Sequence, residues 1–168
     1  MIVAVWAAAQ TAAVIVGVVG VVSALLGIWV NGLRAERLRR REFYSDALEA
    51  VLAYQEFAYV VRRRNKDEPG EERVRISEAL REIQRDLNRF SSLMEIERST
   101  NVAVCYRQLV KKTREIAGGS MRQAWEDPPI TGDAGMNIGG VDLSAIDEYR
   151  AAYLDAVKND LPWWKFWR

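Results

Sequence analysis

Histidine is missing altogether, and cysteine occurs once, as Cys105. The first absence removes the commonest general base and the commonest metal ligand. It also excludes Ser/His/Asp and Cys/His catalytic arrangements. The single thiol excludes an intramolecular disulfide and leaves a thiolate metal site without partners. A free thiol fits a reducing cytoplasm. Charge of one sign is missing as well: 24 basic and 23 acidic side chains leave a net charge of +1, so no global field marks a nucleic-acid binder. The acidic pairs Glu71/Glu72 and Glu95/Glu97 stand beside arginines, the pattern of solvated helix faces. Paired acids four apart on an apolar face, as a di-metal bundle needs, do not occur. No catalytic, cofactor-binding or metal-ligating residue is assigned, no cofactor is expected, and the chain is not read as an enzyme.

Charge is also absent locally. The first thirty residues carry no charged side chain, and from Ile2 to Val30 only Gln10, Thr11 and Ser23 are polar. A bilayer span needs about 20 apolar residues, so residues 1–31 are read as a transmembrane helix. A cleaved leader would have a basic start and a shorter apolar run. Trp6 and Trp29 lie roughly 35 Å apart along a helix, the separation of the two aromatic belts of a bilayer. Arg34, Arg37, Arg39, Arg40 and Arg41 follow at once. Basic residues beside a span stay inside, which places the N-terminus outside and the rest of the chain on the cytoplasmic side of the cell membrane. Arg39 to Arg41 would sit near anionic headgroups. Ala9, Ala13, Gly17, Gly20 and Ala24 form a small-residue face through which two such helices could approach.

The remaining sequence reads as all-α, a small helical hairpin or bundle over residues 32–126 with helices at about 33–66, 71–98 and 101–117. Neither proline nor glycine occurs from Leu33 to Lys66. There Leu33, Leu38, Tyr44, Leu48, Val51, Leu52, Gln55, Ala58 and Tyr59 recur mostly at three- and four-residue spacings. Asp67-Glu68-Pro69-Gly70 is a turn. Ile76, Leu80, Ile83, Leu87, Phe90 and Met94 then form a heptad-type seam that a partner helix must cover. The short turn favours the preceding helix as that partner over a second chain. Val102, Cys105, Tyr106, Leu109, Thr113 and Ile116 give the third helix its face, and Gly118-Gly119 weakens or ends it. Its Arg107, Lys111, Lys112 and Arg114 read as a solvated basic side. Arg62 to Arg64 complement the dipole of the helix they end.

Residues 127–140 are a Gly/Pro connector, with glycine spacings that match no phosphate-binding loop. A last helix over 141–160 is capped by Asp142 or Ser144, with Ser144 and Asp147 in capping-box spacing. It buries Leu143, Ile146, Tyr149, Tyr153 and Val157. Residues 161–168 form an aromatic-cationic tail. Trp163, Trp164, Lys165, Phe166, Trp167 and Arg168 favour a membrane interface, with the protein itself as the competing dock.

The stretch FYSDALEAVLAYQEFAYVVRRRN, the seam helix after it and the region of Trp125 resemble a group of bacterial and phage-borne proteins with one span, a basic neck and a helical hairpin domain. The resemblance implies a fold and topology and no activity. The expected function is therefore a membrane-tethered, non-enzymatic interaction or scaffold module, in an accessory, regulatory or phage-exclusion role. The alternative is a membrane-perturbing effector that oligomerises through its span. The partners expected are the lipid bilayer, a second copy and an unidentified protein; nucleic acid is not expected.

Overall fold

In the computed structural model the described residues are 2–96, 100–130 and 141–161, with side chains described at Gly20 and from Ser23 onward. Four α-helices account for almost all of them: α1 (Ile2–Arg62), α2 (Pro69–Ile96), α3 (Thr100–Glu126) and α4 (Asp147–Asp160), the last preceded by a 3-10 turn at Ser144–Ile146. Two compact units divide the chain, one containing residues 1–41 and the other residues 42–162.

The all-α reading holds, and the transmembrane reading does not. Among the described residues no helix is long and apolar enough to cross a membrane. The apolar sequence is not a bounded element. It is the leading part of a 61-residue helix that goes on through Arg34, Glu36 and Arg37.

In the second unit, residues 42–62 of α1 pack with α2, α3 and α4 in up-down-up-down order. Phe43 of α1 meets Phe90 of α2 edge-on, with ring centroids 5.7 Å apart. Ala50 and Ala53 line a cleft with Ile83, so the two helices run antiparallel as the short turn requires. The seam of α2 is therefore satisfied within the chain. Ile76, Leu87, Phe90 and Met94 are buried, with Leu80 and Ile83 packed against them at the rim. α3 runs back along α2, fixed at the surface by Arg107 on Glu95 at 2.7 Å and Arg114 on Asn88 at 2.8 Å. α4 closes the bundle. Val141 and Asp142, just ahead of it, share a cleft with Arg62, Ser120 and Ala124, and Asp160 at its far end accepts a hydrogen bond from the Tyr44 hydroxyl at 2.6 Å.

Several element boundaries differ from the sequence reading. α2 starts two residues earlier, at Pro69, where a fixed φ and a missing N–H suit the first helical position. Glu71 and Glu72 in that first turn favour its positive end. Asn65 forms the turn itself, its side-chain oxygen accepting from the Asp67 amide at 3.0 Å. α3 does not stop at Gly118-Gly119. Among the described residues no glycine has a positive φ, and Gly118 lies against Tyr54, whose hydroxyl would be 3.5 Å from a Cβ there. Met121 and Ala124 beyond it are buried, so packing on α1 carries the helix through two poor helix formers. The capping box at Ser144 does not form. Asp142 instead accepts from both the amide and the hydroxyl of Ser144, at 3.0 and 2.6 Å, opening the 3-10 turn. These two bonds hold the Asp142 carboxyl below its ordinary range.

The buried face of α1 is also different in part. Leu38 and Leu52 are exposed, whereas Ala47, Tyr54, Phe57 and Val61 are in the core beside Tyr44, Val51, Gln55 and Ala58. Two buried polar atoms, Gln55 Nε2 and Thr113 Oγ1, have no hydrogen-bond partner among the described residues. Each such orphan costs about 1–3 kcal/mol.

Candidate interaction surface

The described part of the first unit presents apolar side chains to solvent. Leu25 is 60% exposed, Leu26 54%, Ile28 70%, with Trp29 and Val30 exposed beside them. At about 100° per residue these five, with Ala24 and Gly27 between, cover the full circumference of the helix. A core-facing helix concentrates its apolar residues on one stripe; this segment has none. Cβ atoms built at Gly20, Gly27 and Gly32 would meet nothing within 4 Å.

The basic cluster begins one turn later. Arg34, Arg37, Arg39 and Arg41 are exposed and Arg40 is half-buried. Glu36 draws two of them to itself, Arg40 at 3.1 Å and Arg39 at 3.6 Å. Leu38, expected on the apolar face of the helix over 33–66, stands 56% exposed among these arginines. Its neighbours Arg37 and Arg39 were the signal that it belongs to the cationic segment rather than to a core. Of the small-residue face, Gly20 and Ala24 are exposed, while the side chains of Ala9, Ala13 and Gly17, like that of Trp6, lie outside the described residues. So does the tail from Trp163 to Arg168, including Trp164, Lys165, Phe166 and Trp167.

The second unit offers shallow clefts. One of about 330 Å³ is lined by Arg62, Ser120, Gln123, Asp127 and Asp142 where α1 and α3 end. Another of about 460 Å³ lies under the α1–α2 turn among Glu68, Glu71, Glu72, Arg75 and Glu78. Arg75 donates to Glu72 at 2.6 and 2.7 Å and holds that carboxyl below its ordinary range. Among the described residues no group of three His, Cys, Asp or Glu side chains could hold a metal ion. Three side chains of the basic side of α3 are engaged locally: Arg107 with Glu95, Lys112 with Glu115 and Arg114 with Asn88. That is the behaviour of a solvated face.

Two constructions inside the second unit were not visible in the sequence. Arg64 does not act only on its own helix. Its guanidinium donates to the carbonyls of Ala124, Trp125 and Asp127 as well as Val61, at 2.5, 3.2, 2.7 and 3.1 Å, and lies 5.0 Å from the Trp125 ring centroid. One planar cation thus caps the C-terminus of α3, where carbonyls have no helical partner. The second is a tyrosine lock. The Tyr106 hydroxyl of α3 donates to the Ala47 carbonyl, and the Tyr153 hydroxyl of α4 donates to the Tyr44 carbonyl, both at 3.0 Å. The two rings stand 5.4 Å apart. Burial pushes both phenols well above their ordinary value of 10.0.

Compared with family models, curated proteins and solved structures, the chain matches none.

Proposed function

We propose that the chain is a non-enzymatic helical interaction module held at a lipid surface by the leading part of α1. The observation that carries the reading is the exposure of Leu25, Leu26, Ile28, Trp29 and Val30, which together with exposed Ala24 and Gly27 leave no polar side on this part of the helix. A protein groove covers one side of a helix, whereas the acyl region of a lipid layer surrounds it. Fully burying a Leu or Ile side chain gains about 1.5–3 kcal/mol, so these residues have a large incentive to leave water. The arginines that follow suit the headgroup layer, where long cationic side chains place their stems in apolar surroundings and their heads in water. Most apolar residues of the second unit are turned into its own core, and those left exposed, such as Leu52, Val74 and Ile96, are scattered singly over its helices.

The test is flotation of the full chain with phosphatidylcholine vesicles at high salt, where ionic attraction is screened. The wild type is expected to float. Replacing Leu25, Leu26 and Ile28 together by Ser should raise the lipid concentration needed by about a thousandfold or more, with the thermal unfolding of the bundle unchanged. A wild-type chain that stays in the aqueous fraction at every lipid concentration would end this reading.

A further inference from the structure

Five arginines follow the apolar stretch, but they are not equivalent. With 3.6 residues per turn, Arg34, Arg37 and Arg41 fall within roughly 60° of the helix circumference. Glu36 and Arg39 lie on the opposite side, and Arg40 stands next to Glu36, about a quarter turn from the middle of the stripe. The ion pairs respect this division. Glu36 engages Arg39 at 3.6 Å and Arg40 at 3.1 Å, while Arg34, Arg37 and Arg41 have no ion-pair or hydrogen-bond partner among the described residues. One face therefore carries three unneutralised guanidinium groups, and the two outside it share a carboxylate. The unneutralised face is also the one with exposed Leu38, and Val30 lies on it one turn before Arg34.

We infer that Arg34, Arg37 and Arg41 form the headgroup-reading stripe of this protein, and that its occupant is an anionic phospholipid. The inference rests on the lipid reading proposed above and adds to it a lipid class and a side of the helix. Charge complementarity carries the choice. Guanidinium is the side chain that pairs with phosphate through two parallel N–H donors. A stripe that interleaves such groups with Leu38 and Val30 matches a surface with phosphates outside and acyl chains beneath. Glu36 serves as the selector, because it lowers the positive potential on the opposite side and so leaves a single face for an anionic layer to attract. The alternative, in which five arginines act as an undirected cloud of charge, would make every arginine count alike.

Equal charge changes separate the two. The full chain is floated with vesicles of phosphatidylcholine alone and of phosphatidylcholine mixed with phosphatidylglycerol, at low ionic strength. Binding to the first reports the apolar segment, and the gain on adding phosphatidylglycerol reports the arginines. Each cation at an anionic surface contributes about a fivefold gain in affinity. The double variant Arg34→Gln with Arg41→Gln should therefore lose about 25-fold of that gain. The double variant Arg39→Gln with Arg40→Gln removes the same charge and should lose a few-fold at most. Binding to phosphatidylcholine alone should be unchanged in both, which shows that the apolar segment is intact, and unchanged thermal unfolding shows that both fold. Equal losses from the two variants would overturn the stripe while leaving the lipid reading standing. A wild-type chain that binds phosphatidylcholine but gains nothing from phosphatidylglycerol would overturn the choice of lipid class. No wild-type binding to either vesicle would overturn the inference together with the reading beneath it.

Discussion

At the scale of single residues, Arg64 does the most with one side chain. It satisfies carbonyls of Ala124, Trp125 and Asp127 and stacks near Trp125, so it ties the end of α1 to the end of α3. Hydrogen bonds from a charged donor contribute about 1.5–3 kcal/mol each when desolvated, and here the site is half-buried. Arg64→Ala should lower the unfolding free energy by about 2–3 kcal/mol. Arg64→Lys keeps the charge and loses the planar fork, so it should recover less than half of that. Chemical denaturation of the three proteins checks the order. The sequence offered only a run of three arginines after an amphipathic helix, and the local account, a cation at the end of its own helix, was the natural one. The carbonyls that Arg64 reaches lie some sixty residues away in the chain, and nothing in local spacing points to them.

At the scale of elements, the helices were legible wherever apolar residues recur at three and four, and their packing partners were legible only for α1 and α2. The seam from Ile76 to Met94 asked for a cover, and the Pro69 turn supplied one. The continuation of α3 through Gly118-Gly119 was not legible, because propensity argued for a stop and contact with Tyr54 argued against it. The docking of α4 was likewise hidden. It depends on Tyr153 reaching a backbone carbonyl of α1 while its ring packs at a tilt against Tyr106 of α3, three elements meeting at two rings. That arrangement has a pH signature. Burial raises both phenols above 10.0, so the folded chain keeps protons that the unfolded chain releases. The stabilisation is complete below the unfolded tyrosine value, about pH 10, and is lost as pH rises from there toward the folded values. Denaturation midpoints should therefore be flat through neutral pH and fall above about pH 10. The double variant Tyr106→Phe with Tyr153→Phe should be somewhat less stable at neutral pH and show a shallower alkaline fall. An equal slope in the variant would place the alkaline sensitivity elsewhere.

At the scale of the whole molecule, composition distinguished two kinds of sequence and assigned one of them too much. The division between compact units falls after Arg41, ten residues beyond the boundary expected at residue 31, so the arginine cluster goes with the charge-free leading residues. The apolar leader looked like a bounded transmembrane element. It is instead part of one continuous helix, and no described helix can cross a membrane. Composition averages over a window, whereas an element is set by where the hydrogen-bonded backbone begins and ends. The exposed apolar surface nevertheless stands, from Leu25 to Val30, and it is the centre of the functional account. The most direct measurement is site-directed spin labelling of the full chain with Cys105→Ala, placing one nitroxide at Ile28 and, separately, one at Val74, an exposed site in α2. With phosphatidylcholine vesicles added, the label at position 28 should gain accessibility to oxygen and lose accessibility to a water-soluble nickel reagent, while the label at position 74 stays in water. A label at position 28 that remains as accessible to the nickel reagent with vesicles as without them would contradict the account.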